Sequence, residues 1–170
     1  MKLMMLFCIA GLSLAACSKK NEEKEQGRCD MQKVYSQNAK KLTITSGVWG
    51  TVSLLEGNCM PMIDPANTTC KQCPVKRTVK IYEYTLQTQA TPSPNKATYF
   101  ESFSTKLVAQ AETDSNGFFQ LNIPSGHYTM AIVENGKLYA NGTDGQGGLN
   151  PVTYSSGTQL VNQTVIKAVF

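Results

Sequence analysis

The chain has 170 residues, with 16 Lys and Arg against 12 Asp and Glu, a formal net charge of +4. That excess is scattered, with Lys76, Arg77 and Lys80 as the only local basic group, so the basic stripe with stacking aromatics that nucleic-acid binding needs is missing. A single histidine, His127, excludes metal sites built on paired histidines.

Residues 1–16, MKLMMLFCIAGLSLAA, read as a leader: a positive charge at Lys2, an apolar run too short for the ~20 residues of a membrane span, then small residues. Cys17 follows directly. Leu14-Ala15-Ala16-Cys17 resembles the lipobox of bacterial lipoproteins, which implies that Cys17 is acylated and becomes the first mature residue. A thiol suits that position because it is the nucleophile that takes the diacylglycerol. An ordinary secretory leader cleaved near Ala16 is the alternative. By the same resemblance, the neutral Ser18 implies the outer membrane. Cys8 and Lys2 leave with the leader, which takes the charge from +4 to +3.

Residues 17–41 mix charges and hold few apolar side chains, a composition that cannot bury enough surface to offset chain entropy. They are expected to form a flexible tether, with a short helix around Met31 to Tyr35 as a minority reading. The globular domain is expected to occupy residues 42–170, about 130 residues and enough for one core.

Thr43 to Leu55 is rich in β-branched residues and predicts a first strand, with Trp49 packed in the core or against the tether rather than offered to a ligand. Glu56 to Val75 carries three prolines and three cysteines and predicts a long loop in need of a staple. A strand over Val75 to Tyr84, a loop over Thr85 to Lys96 and a short edge strand over Thr98 to Phe103 follow. Leu107, Ala109 and Ala111, then Phe119, Leu121 and Ile123, then Tyr128, Met130 and Ile132 fall on alternate positions, the period of half-buried strands. Between them, Asp114-Ser115-Asn116-Gly117 predicts a tight hairpin and Pro124-Ser125-Gly126 a corner. Asn135-Gly136 predicts another hairpin, Asn141 to Asn150 a Gly-rich loop, and Thr158 to Phe170 a closing strand.

The pattern D-x-N-G-F-F-x-L-x-I-P-x-G-x-Y-x-M-x-I over Asp114 to Ile132, with Gly47-Val48-Trp49-Gly50-Thr51-Val52 before it, resembles the carboxypeptidase regulatory-like domain. That resemblance covers about three quarters of the chain. It implies a transthyretin-like/immunoglobulin-like antiparallel β-sandwich of about seven strands, usually noncatalytic.

Four cysteines remain beyond the leader and Cys17: Cys29, Cys59, Cys70 and Cys73. An even number in an oxidising compartment predicts disulfides. Cys59 is expected to bond Cys70 or Cys73, with the remaining cysteine bonded to Cys29. Thioredoxin-like redox chemistry would place Cys70 at a helix N-terminus, yet Pro74-Val75 leads into a strand. A zinc site would bring two close pairs of cysteines, and only one is present. Asp144 to Asn150 offers oxygen ligands among glycines, but it lacks the acids of a calcium loop and reads better as a turn. No metal, cofactor or catalytic residue is therefore expected.

The functional expectation is a lipid-anchored envelope protein carrying a noncatalytic binding or structural module. Its partners would be the membrane, through the lipid, and an envelope protein or glycan, met by the loops Glu56 to Val75 and Thr85 to Lys96. The alternatives are a periplasmic hydrolase or inhibitor accessory that uses the cysteine-rich loop, and an outer-membrane lipoprotein of a secretion-type assembly.

Overall fold

A computed structural model describes residues 29–61, 63, 68–94 and 96–170. The leader and Cys17 lie outside the described residues. Among the described residues the fold is an all-β sandwich of two sheets with one short α-helix, and its organising strand is β1, Gly47–Glu56. β1 is hydrogen-bonded along both edges by broken partners. On one edge it runs parallel to β11 (Thr158–Leu160) and then β12 (Gln163–Ile166). On the other it runs antiparallel to β7 (Phe118–Leu121) and then β2 (Lys71–Pro74). The expected closing strand is thus two strands. Val161 and Asn162 separate them, yet the Val161 amide still donates to the Trp49 carbonyl and Asn162 Oδ1 accepts from the Thr51 amide.

The second sheet has the order β4 (Ala90–Ser93), β5 (Lys96–Phe103), β9 (Lys137–Tyr139), β8 (Gly126–Glu134), β3 (Thr78–Glu83), β6 (Leu107–Glu112), with β10 (Pro151–Tyr154) beside the first half of β8. Interruption of the partners of β1 and β8 turns the expected seven or so strands into twelve among the described residues. The first sheet is mixed, since β11 and β12 are parallel to β1, whereas every pair in the second is antiparallel. The loop expected over Thr85 to Lys96 contains β4, and β5 is flanked by β4 and β9 rather than lying at an edge.

The Asp114 turn forms, but it does not close a hairpin. β6 pairs with β3 in the second sheet and β7 with β1 in the first, so the turn carries the chain between sheets. Asp114 Oδ1 accepts from the amides of Asn116 and Phe118, and Gly117 takes φ +69°. A β-carbon on Gly117 would run into the Val52 carbonyl oxygen, so the corner needs glycine for both its dihedral and its close approach. Pro124 to Gly126 returns the chain to the second sheet as a corner, as expected. Asn135 and Gly136, at φ 52° and 77°, make the expected hairpin between β8 and β9.

Val48, Val52, Phe119, Leu121 and Val165 from the first sheet meet Val79, Ile81, Met130, Ile132 and Tyr139 from the second to form the main core. A second cluster, Tyr82, Phe100, Phe103, Ala131, Leu138, Ala140 and Leu149, is separate from it. The register of β5, β9, β8 and β3 puts Phe100, Leu138, Ala131 and Tyr82 on the opposite face of the second sheet from Tyr99, Tyr139, Ile132 and Ile81.

The outer face of the first sheet is covered by α1, Met31–Ala39. Asp30 caps it by accepting from the Lys33 amide at 2.9 Å. A nine-residue helix is marginal alone. This one is pinned at both ends. Cys29 is bonded to Cys73 on β2, and the fully buried Asn38 donates to Thr51 Oγ1 (2.8 Å) and to the Asn116 carbonyl (2.9 Å). The flexible coil expected through Lys41 therefore gives way to ordered structure from Cys29, because the disulfide and Asn38 supply what the composition lacks. With a sequence separation of 44, that crosslink is worth about 4 kcal/mol in the chain-entropy model.

One ion cluster ties the sheets together. Glu134, at the end of β8 and 1 % exposed, accepts from Arg77 Nε and from Lys167 Nζ (2.5 Å), the latter just beyond β12. Burial pushes the Glu134 carboxyl up, but the hydrogen bonds and charges of Arg77 and Lys167 outweigh it and hold the group below the usual range. A carboxylate depressed in the folded state stabilises above its unfolded value of about 4.3 and loses that stabilisation as the pH falls through the folded value. Stability measured by urea unfolding should accordingly drop between pH 6 and pH 3. Glu134→Gln removes the buried charge and leaves Arg77 and Lys167, which are partly exposed, so it should cost about 1–3 kcal/mol at pH 7, the scale of lost charge-assisted hydrogen bonds, and should flatten this dependence.

Candidate ligand cleft

Over the second hydrophobic cluster lies a cleft of about 430 Å³. Its floor is apolar, with Phe100, Ala140 and Leu149, and its rim is polar but uncharged, with Gln87, Thr98, Asn141 and Thr143. Two loops build the walls. Leu86 caps a short 3-10 turn, Gln87–Gln89, in which its amide is held by Gln89 Oε1. The segment from Asn141 to Asn150 forms the facing wall and is clipped to the first by the Gln87 amide on the Gly147 carbonyl and the Leu149 amide on the Thr85 carbonyl, both at 2.9 Å.

That facing wall is organised by Asp144. Its Oδ1 accepts from the amides of Gln146 (2.9 Å) and Gly148 (2.8 Å), and its Oδ2 from the Tyr84 hydroxyl at 2.6 Å. The bond from Tyr84 and the Gly148 amide hold the Asp144 carboxyl below its usual range, while the same bond raises the Tyr84 phenol. His127 is exposed, as expected, but its ring stacks on Tyr84 with centroids 4.1 Å apart, closing one side of this cluster. Asp144, considered above as a calcium ligand, has both oxygens engaged by donors of the chain itself. Among the described residues no group of three His, Cys, Asp or Glu could hold a metal.

The four cysteines form two disulfides, Cys29–Cys73 and Cys59–Cys70. The second clips the base of the cysteine-rich loop, and residues 71–74 of that loop form β2, which the sequence did not reveal. The loop and the cleft are apart: Cys70 lies next to β2 in the first sheet and the cleft on the second. Of the two loops singled out from the sequence, only Thr85 to Lys96 contributes to the cleft. Trp49, half-buried, lines a smaller hollow of about 270 Å³ with Tyr35, Ala39 and Leu160 between α1 and the first sheet. Tyr84 and Asp144 escaped sequence reasoning as a pair; the signal available was the repeated spacing D-x-x-G at Asp114 and Asp144.

No family model, curated protein or solved structure matches this chain. Among the described residues no helix is long and apolar enough to cross a membrane.

If Asp144 fixes the wall of the cleft, Asp144→Ala should speed amide exchange at Gln146 and Gly148 by about tenfold, leaving the β1 and β8 amides protected. Hydrogen exchange read by NMR checks this outcome.

Proposed function

We propose that this chain is an outer-membrane lipoprotein, acylated at Cys17, whose sandwich is a noncatalytic binding module of the carboxypeptidase regulatory-like, transthyretin-like group. The cleft is its ligand site. The lining of the cleft carries the binding reading: Gln87, Ala90, Pro92, Ala97, Thr98, Phe100, Ala140, Asn141, Thr143 and Leu149 include no residue that titrates near neutral pH. An apolar floor with a few amide and hydroxyl groups at its edge suits recognition better than acid, base or nucleophilic work. The occupant that this chemistry suits is an uncharged ring with one apolar face and hydroxyls around it, the character of a sugar in an envelope glycan.

The address is supported by the sequence Leu14-Ala15-Ala16-Cys17, and the family by the Asp114 and Pro124 turns, which take the chain from one sheet to the other and back. The bonded state of Cys59 and Cys70 favours binding over thiol chemistry at the cysteine-rich loop.

Two measurements test this reading. The mature chain purified from bacterial membranes should have a mass that begins at Cys17 and includes acyl chains; a mass that retains the leader, or lacks lipid, removes the address. Polysaccharide and peptidoglycan fragments should bind the protein in calorimetry. Ala97→Trp, an exposed change that fills the cleft, should weaken that binding at least ~10-fold with the melting temperature unchanged. Equal binding by variant and parent overturns the assignment of the site.

A further inference from the structure

We infer that the end of the sandwich bearing the cysteine-rich loop is a second, weaker membrane contact, an apolar tip that rests on the lipid surface. This rests on the acylation of Cys17 proposed above. At that end the chain exposes large apolar side chains on two segments whose backbones are bonded: Phe170 is 68 % exposed, Val169 58 % and Met60 44 %, and Ile63, three residues beyond Met60 in sequence, is fully exposed. They are gathered by backbone bonds. The Cys59 amide donates to the Val169 carbonyl at 2.8 Å and the Val169 amide to the Gly57 carbonyl at 2.9 Å, so the residues after β12 run beside the residues after β1. The Cys59–Cys70 bond and the Asn58 amide on Thr69 Oγ1 fix the base of the loop beside them.

The occupant follows from where the rest of the chain enters. Cys29 is bonded to Cys73, which faces Leu54 near the same end of β1 and lies three residues from Cys70, about 10 Å along a strand. From there α1 runs back along β1, bringing Asn38 to Thr51. Cys29, the first described residue, is therefore held near the tip end of β1. Eleven residues lie between Cys17 and Cys29, so even fully extended they keep Cys29 within about 40 Å of the lipid-bearing residue. A bilayer surface is thus within reach of the apolar end.

The charges are consistent with apolar insertion. Among the described residues, Lys71 is paired with Glu56 at 3.0 Å and Lys167 with Glu134, so these two basic groups near the tip are compensated by neighbouring carboxylates. Contact with lipid should depend little on salt or on anionic headgroups. The cleft faces elsewhere. Lys167 places Glu134 at the tip end of the second sheet, β9 runs away from Glu134, and Ala140 and Asn141 of the cleft follow β9. A domain seated on its tip keeps the cleft open to its ligand.

The test uses the acylated mature protein in neutral phosphatidylcholine vesicles whose acyl chains carry bromine near the headgroup. With Trp49→Phe as background, the Phe170→Trp variant should lose at least ~50 % of its fluorescence to the bromines, whereas Ser156→Trp, beside Gly157 at the opposite end of β1, should lose little. Adding Met60→Asp and Val169→Asp to the Phe170→Trp variant should cut the quenching at least ~2-fold, and 0.5 M salt should leave it unchanged. Vesicle-bound, acylated protein in which Phe170→Trp is not quenched, or in which Ser156→Trp is quenched equally, overturns the tip and leaves the anchor intact. So does quenching lost because two copies cover each other's tips, which sedimentation would show as a dimer. A mature chain without lipid in its mass overturns the anchor, and this inference with it.

Discussion

The structure depends on β1 being saturated along both edges by segments that are themselves interrupted. β11 and β12 occupy one edge, β7 and β2 the other. A strand with both edges paired has no backbone group left to satisfy, so its ten residues fix the register of four short partners drawn from the middle and end of the chain. The close approaches show how little slack exists. A β-carbon on Gly50 would meet the Val161 carbonyl oxygen where the far edge breaks between β11 and β12. The alternation of Val48 and Val52 inward with Thr51 and Ser53 outward then decides which face carries the core and which face receives the helix.

That outer, polar face explains why the segment before β1 folds. Thr51 and Ser53 are buried although polar, and each has its own partner: Asn38 reaches Thr51, and Gln72 Nε2 reaches Ser53 at 2.8 Å. The covering is thus hydrogen-bonded rather than greasy, and it is held by a crosslink because a nine-residue helix with half-buried Met31, Val34 and Tyr35 has little apolar surface to offer. Order here comes from a covalent bond and one amide side chain, both invisible to a count of apolar residues.

How much of this was legible follows from the range of each determinant. Alternation over Phe119 to Ile123 and Tyr128 to Ile132 gave the strands, Asn135-Gly136 gave its hairpin, and the even number of thiols gave two disulfides, all because these signals are local. The Asp114 turn was legible as a turn and misread as a hairpin. Its residues specify a reversal, but the identity of the partners, β3 for β6 and β1 for β7, is set by contacts distant in sequence. β2 was hidden among prolines and cysteines because its pairing with Leu54 to Glu56 overrides a weak propensity. The cleft was half legible. Its Thr85 to Lys96 wall was named from the sequence, but the facing wall depends on Asp144, whose turn repeats that of Asp114. In both, Oδ1 binds the amides two and four residues on and the amide of the glycine three residues on meets the Asp carbonyl. One device thus serves two ends, crossing between layers in one place and walling a cavity in the other.

The bond between Cys29 and Cys73 has a mechanical meaning. Drag on the amino terminus enters the body through a sulfur bridge to β2 and spreads from there into the hydrogen-bonded ladder of β1, bypassing α1. Asn38 and the hollow around Trp49 are thereby shielded from load. The helix can remain a soft cover while Cys29 behaves as part of the ladder around β1.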